Sequence, residues 1–182
     1  MTTSTTLAEP LPSHGPIDDA ATPAFFPVSL TKLLVLSICT LSLYEIYWFY
    51  KNWKLVKHHE QSDILPVARA FFTVLFCYSL FRRVDEESQK LGMRGVSAGL
   101  LAAGWIVATV LHRLPDPYWL ISFLAVLFLL PVQHAMNQLN ATVAPGHDAN
   151  SRFTGWNIAT VIVGGLVAVL VVAGVFIVPE QA

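Results

Sequence analysis

Charge is scarce in this sequence. Lys, Arg, Asp and Glu make up 13% of its 182 residues, and the net charge is −1. Ordinary soluble domains carry roughly 25%. No basic domain stands apart, which excludes a module that holds nucleic acid by bulk electrostatics. Cysteine is nearly absent. Cys39 and Cys77 both lie inside apolar runs and read as two buried free thiols, not as a disulfide framework. Enzyme signatures are missing too: there is no H-E-x-x-H, no C-x-x-C, no phosphate-cradling glycine loop and no G-x-S-x-G. His58 and His59 are adjacent, so on a helix they point apart, and no further Cys or His stands at metal-ligand spacing. His112 and Asp116 are one turn apart, but Pro115 intervenes and no nucleophile is evident. No catalytic residue, metal or other cofactor is therefore expected. A secretory leader is not expected either, because residues 1–27 lack a basic start followed by an apolar core. The first hydrophobic helix would then serve as an uncleaved anchor.

What the chain does have is apolar length. It is 54% hydrophobic with a mean hydropathy of +0.56. Four runs, at about 28–50, 95–112, 118–133 and 156–178, approach the roughly 20 residues that cross a hydrocarbon core. Ahead of them, residues 1–27 are rich in Pro, Thr and Ser and read as a disordered tail. Between the first two runs, 66–91 reads as one short helix. Its apolar part, 70–81, is too brief to cross and suits an interfacial or re-entrant position. Its remainder offers the one-turn pairs Arg82–Glu86, Arg83–Glu87 and Glu86–Lys90, with Gly92 as a C-terminal stop. Val132, Ala135, Met136 and Leu139 form a helical stripe that carries on past Pro131. The expected fold is an all-α integral membrane helical bundle. It has four spanning helices and one short interfacial or re-entrant helix in a single domain, 28–182, with five spans as the alternative.

The sharpest boundary lies at 40–54, T-L-S-L-Y-E-I-Y-W-F-Y-K-N-W-K. Tyr47, Trp48, Tyr50 and Trp53 crowd the exit of the first run, as an aromatic belt at headgroup level does. Lys51 and Lys54 add a basic edge, continued by Lys57. This run, together with R-A-F-F-x-x-L-F-C-Y-S-L-F-R-R at 69–83, resembles an uncharacterised family of small bacterial inner-membrane proteins. The resemblance covers about 33–83, with a weaker echo at 115–140. It implies a bacterial inner-membrane address and carries over no activity and no functional residues.

Basic residues near span ends bias orientation. In the four-span arrangement nine of the eleven Lys and Arg fall on one side, and only Lys32 and Arg113 lie opposite. The five-span arrangement divides them five to six. The lopsided count favours four spans, with both termini periplasmic and 51–94 cytoplasmic.

Two further sets of residues stand out. Glu45 is the one acid inside an expected span, where a carboxylate costs roughly 2.5–3.5 kcal/mol near the helix centre. Arg69 opens the neighbouring hydrophobic segment and is its expected partner. In the last run, Gly164 and Ala168 make a small-xxx-small pair of the kind that lets helices approach in lipid. The expected function is that of a multi-pass, non-catalytic accessory or interaction protein. A small transporter or channel component and a membrane-embedded enzyme are the alternatives. The expected partners are the lipid bilayer and a protein partner or further copies of the chain, not nucleic acid.

Overall fold

The first apolar run is not one helix. In the computed structural model, which describes residues 22–177, it splits into α1 (Leu30–Cys39) and α2 (Leu43–Glu60). Leu41 and Ser42 take left-handed backbone, with φ of 51° and 68°, at roughly 1–2 kcal/mol each for residues that carry a Cβ. Thr40 holds the break. Its hydroxyl donates to the Leu36 carbonyl at 2.7 Å and accepts from the Tyr44 amide at 2.9 Å. One side chain thus closes α1 and opens α2. The chain then doubles back: Phe26, ahead of α1, meets the Tyr47 ring of α2 edge-on at 5.9 Å.

The second segment is also divided. α3 (Pro66–Phe71) and α4 (Thr73–Lys90) meet at a bend on Phe72, where one helix over 66–91 was expected. α4 ends on Gly92, whose φ of +67° is the left-handed position glycine adopts without a Cβ penalty. Gly92 donates to the Gln89 carbonyl at 3.0 Å and Met93 to that of Ser88 at 2.9 Å, the paired bonds of a Schellman cap. The solvated half of α4 pairs partly as its spacing predicts. Arg82 meets Glu86 at 2.7 Å, but Arg83 reaches across to Glu60 of α2 at 2.9 Å, and Lys90 takes Glu87 at 2.6 Å.

α5 (Ala98–Val110) runs into a 3-10 turn at Leu111–Arg113. A second 3-10 stretch, Tyr118–Ala125, feeds directly into α6 (Val126–Val143), and α7 (Gly155–Ile177) follows a polar loop. Among the described residues there is no strand. Two helices, Tyr118–Val143 and Gly155–Ile177, are long and apolar enough to cross a membrane, while Leu30–Cys39 and Ala98–Arg113 are apolar but shorter. Four were expected. The first run fails because Thr40–Ser42 breaks it, and the second because α5 with its turn reaches only about 24 Å at 1.5 Å per residue.

α6 is the axis of the core. Val132, Met136 and Leu139 are sealed from solvent, and Trp48, Phe49, Leu80 and Phe81 close around them. Residues 1–21 and 178–182 lie outside the described part, so most of the expected tail does too. Its last residues do not behave as a tail. Phe25 and Phe26 are buried in the same core as Trp48, so the packed chain begins upstream of residue 28.

The helices run between two ends. α2 rises from Leu43 to Glu60, and α4 rises beside it from Thr73 to Arg83 and the Glu60 pair. The loop before α7 belongs to that same upper end. The Lys32 ammonium donates to Asn150 Oδ1 at 2.7 Å and to the Arg152 carbonyl at 3.0 Å. Lys32 and Arg152 therefore share one end, whereas the charge count set them on opposite sides. The reason is the break at 40–42, which reverses the chain where a through-going helix was expected.

Candidate functional site

Two buried polar assemblies sit inside this bundle, one at each end. The upper one is an amide clamp around the extended segment 25–28. Asn140 Oδ1 accepts from the Phe25 amide at 3.0 Å and Nδ2 donates to the Phe25 carbonyl at 2.8 Å. Asn52 accepts from the Phe26 amide at 3.0 Å, and Gln133 donates to the Phe26 carbonyl at 3.1 Å. Asn137 and Asn150 donate to the Val28 and Pro27 carbonyls at 2.9 and 3.0 Å. A segment outside helix and sheet has unpaired backbone groups that cannot be buried without partners, and here side-chain amides supply them. Trp48 joins the same network by donating to Gln133 at 2.5 Å.

The lower assembly centres on Glu45. Its side chain is only 3% exposed, one carboxylate oxygen accepts from the Trp105 indole at 2.8 Å, and the other has no hydrogen-bond partner. Beside it opens a cavity of about 490 Å³ whose wall includes Ser42, Glu45, Phe71, Thr109, Trp119 and Phe123. The break at Leu41–Ser42 forms one lip of this cavity, so the strained turn also places Glu45 at the start of α2. Trp119 is oriented by donating to Asp116 at 2.5 Å. Thr109 Oγ1 is buried without a partner as well.

The expected Glu45–Arg69 pair is not formed. The Arg69 guanidinium sits over aromatic rings instead, 4.5 Å from the Trp53 centroid and 5.1 Å from that of Phe76. Arg83 approaches Trp53 from 5.6 Å. A guanidinium gains roughly 0.5–2 kcal/mol on an aromatic face, and this site needs no carboxylate.

The expected aromatic belt is divided as well. Trp48 and Trp53 are fully buried core residues, whereas Tyr47 is 46% exposed and Tyr50 half-buried. Lys54 is exposed, and the Lys51 ammonium sits over the rings of Phe26 and Tyr47 at 5.4 and 6.0 Å. Lys51 and Lys54 line a groove of about 500 Å³ with His58, His147, Asp148 and Asn150.

Gly164 lies against the carbonyl that the break leaves free. A Cβ there would collide with Cys39 O, so glycine is what lets α7 lie along α1. Ala168 is half-buried one turn on and lines a shallow apolar cleft with Ile38 and Phe123. Cys39 and Cys77 are free thiols. No group of acids, histidines and cysteines among the described residues is arranged to hold a metal ion. At the solvated end, hydrogen-bonded carboxylates of Glu86 and Glu87 hold Arg82 and Lys90 above their ordinary pKa values.

Trp105, Thr109 and Trp119 around Glu45, and the amides of the clamp, were not singled out by sequence reasoning. One signal for the clamp was available. Gln133, Asn137 and Asn140 stand four and three residues apart, so they share one face of an otherwise apolar helix. Nothing local ties Trp105 to Glu45, 60 residues away.

Fold and cavity together define an all-helical bundle with two helices suited to crossing a membrane and a carboxylate sealed in its apolar end. No family model, curated protein or solved structure matches this chain.

Proposed function

We propose that the chain is a multi-pass protein of the bacterial inner membrane that works by binding, as an accessory or interaction subunit, and not by catalysis. The observation that carries this is the sorting of its surface. The α7 segment has a mean hydropathy of 2.8 with none of it buried. Exposed apolar side chains continue around the lower half at Leu43, Ile46, Phe71, Leu75, Val107 and Leu124. Soluble monomers rarely expose contiguous apolar patches beyond a few hundred Å²; in a bilayer such a surface is the lipid contact. Every Lys and Arg except Arg113 belongs to the upper part or to the segments leading into it, which supports a cytoplasmic upper end.

On this reading α1–α2 and α3–α4 enter and return as re-entrant pairs. Tyr118–Val143 and α7 cross as single helices, whereas Ala98–Arg113, about 24 Å long by itself, crosses only together with the loop residues on either side of it. Residue 22 is then cytoplasmic and the end of α7 is not. The charge count alone put both termini in the periplasm. The interaction face is the groove lined by Lys51, Lys54, His58 and His147, with Asp148 as its one acid; it complements an acidic partner segment. The Glu45 cavity favours a second reading, a small transporter component.

Orientation is tested with single cysteines at Gln61 and Asp116 after Cys39 and Cys77 are replaced by alanine. Impermeant maleimide added to spheroplasts should label Asp116→Cys and spare Gln61→Cys. The opposite pattern overturns the orientation, and release of the protein by alkaline carbonate overturns the membrane reading. For the interaction, a photocrosslinker at His58 should trap one discrete partner in cells, and Lys51→Glu with Lys54→Glu should abolish the adduct. An adduct that survives the charge reversal refutes the basic face.

A further inference from the structure

We propose that the lower cavity is a binding site for an organic ammonium with an apolar body, and that Glu45 is its counter-ion. The inference rests on the cavity itself and not on how the chain sits in a membrane. A carboxylate nine-tenths buried and satisfied at one oxygen only needs a partner for the other, because a buried acceptor left unmade is costly. Among the described residues none is supplied: Oε1 of Glu45 is unpartnered, and Arg69, the partner expected from the sequence, is committed to Trp53 and Phe76. His112, the other titratable group of the wall, donates from Nδ1 to the Thr109 carbonyl at 2.7 Å.

The rest of the wall selects among ligands. Trp105, Trp119, Phe71 and Phe123 line the same cavity as the carboxylate, and aromatic faces attract cations, quaternary ammonium most of all. A hard metal ion needs six or more oxygens, and this wall offers one carboxylate and a few hydroxyls. An anion would meet the carboxylate as a like charge. A neutral apolar molecule would fill the space and leave Oε1 without a partner. At about 490 Å³ the cavity is of the size that encloses a small organic ligand. An alkyl or aryl ammonium satisfies every part of it: its charge rests against Glu45, its substituents against the rings, and Thr109 Oγ1 remains to bond an N–H where the amine has one.

The test compares two probes of one shape, benzyltrimethylammonium and its uncharged isostere neopentylbenzene, by calorimetry on the full chain in a single detergent. The cation should bind at least tenfold more tightly than the isostere. Glu45→Gln retains an acceptor for the Trp105 indole, so the fold should persist while the cation falls to the affinity of the isostere. Trp119→Ala, which removes a ring of the wall that does not bond the carboxylate, should weaken the cation by about fivefold and the isostere less, as loss of one aromatic face predicts. Equal binding of both probes to the wild-type chain overturns the proposal, and so does binding of neither. A charge preference that survives Glu45→Gln overturns the role given to that residue.

Discussion

Asn140→Ala is the most telling single change, because it separates detachment of the N-terminal segment from unfolding of the bundle. Asn140 is completely buried and satisfies both backbone groups of Phe25. If segment 25–28 stayed docked after the change, two buried backbone groups would lose their partners at about 1–3 kcal/mol each. If it came away, water would satisfy those groups. The loss would then be burial of Phe25, Phe26 and Val28, about 1.5–3 kcal/mol per side chain, together with the remaining amide bonds. Freeing the four residues of that backbone returns roughly 1–2 kcal/mol each. Gain and cost of docking are thus close to balance, and a loss of about 2–6 kcal/mol at Asn140 should tip the segment outward while α1–α7 stay folded. Chymotrypsin reads this directly, since the Phe25–Phe26 bond is cleavable only when the segment is out. Cleavage there should accelerate by at least tenfold in Asn140→Ala, because each 1.4 kcal/mol is a factor of about ten when opening is rapid. The thermal midpoint in detergent should fall much less, and Gln138→Ala, at an exposed position two residues away, should leave both unchanged. Wild-type cleavage kinetics in Asn140→Ala would refute the clamp.

Three further outcomes follow from the packing. Gly164→Leu should lower thermal stability in detergent by about 1–3 kcal/mol, the usual cost of overpacking; an unchanged midpoint would mean that α7 does not rest on Cys39. Gly92→Ala should cost roughly 1 kcal/mol through its left-handed backbone alone, since a Cβ there meets nothing within 4 Å, and denaturant melts would show it. Glu45→Gln and Arg69→Gln should be additive within about 0.3–0.5 kcal/mol in a double-mutant cycle, and a larger coupling would restore the ion pair that the geometry removes.

Periodicity located much of the architecture. The stripe through Val132, Met136 and Leu139 needs only 3.6-residue spacing to be read, and it is the core face of α6. Gly92 needs only its place after a charged, self-paired helix. The break at Leu41–Ser42 was not legible in the same way. Neither residue is Gly or Pro, and both sit in a run whose hydropathy is continuous. Their left-handed backbone is sustained by Thr40 across two helix ends and by Gly164, more than 100 positions downstream. Tertiary structure overrides propensity there, and every orientation drawn from a straight first helix inherited the error.

Glu45 shows the same limit in its chemistry. Charge arithmetic pairs a buried acid with the base that opens the next hydrophobic segment, which pointed to Arg69. Yet a guanidinium has two ways to leave water, against a carboxylate or flat on aromatic rings, and Trp53 with Phe76 offers the second. An indole N–H can in turn serve a carboxylate, as Trp105 does, without bringing a second charge into the core. Exchanging one ion pair for a cation on rings and an anion on an indole leaves both groups partly satisfied and keeps them apart. The difference that matters is at the carboxylate. An arginine would have engaged both oxygens, whereas a single indole N–H leaves one of them open to the cavity.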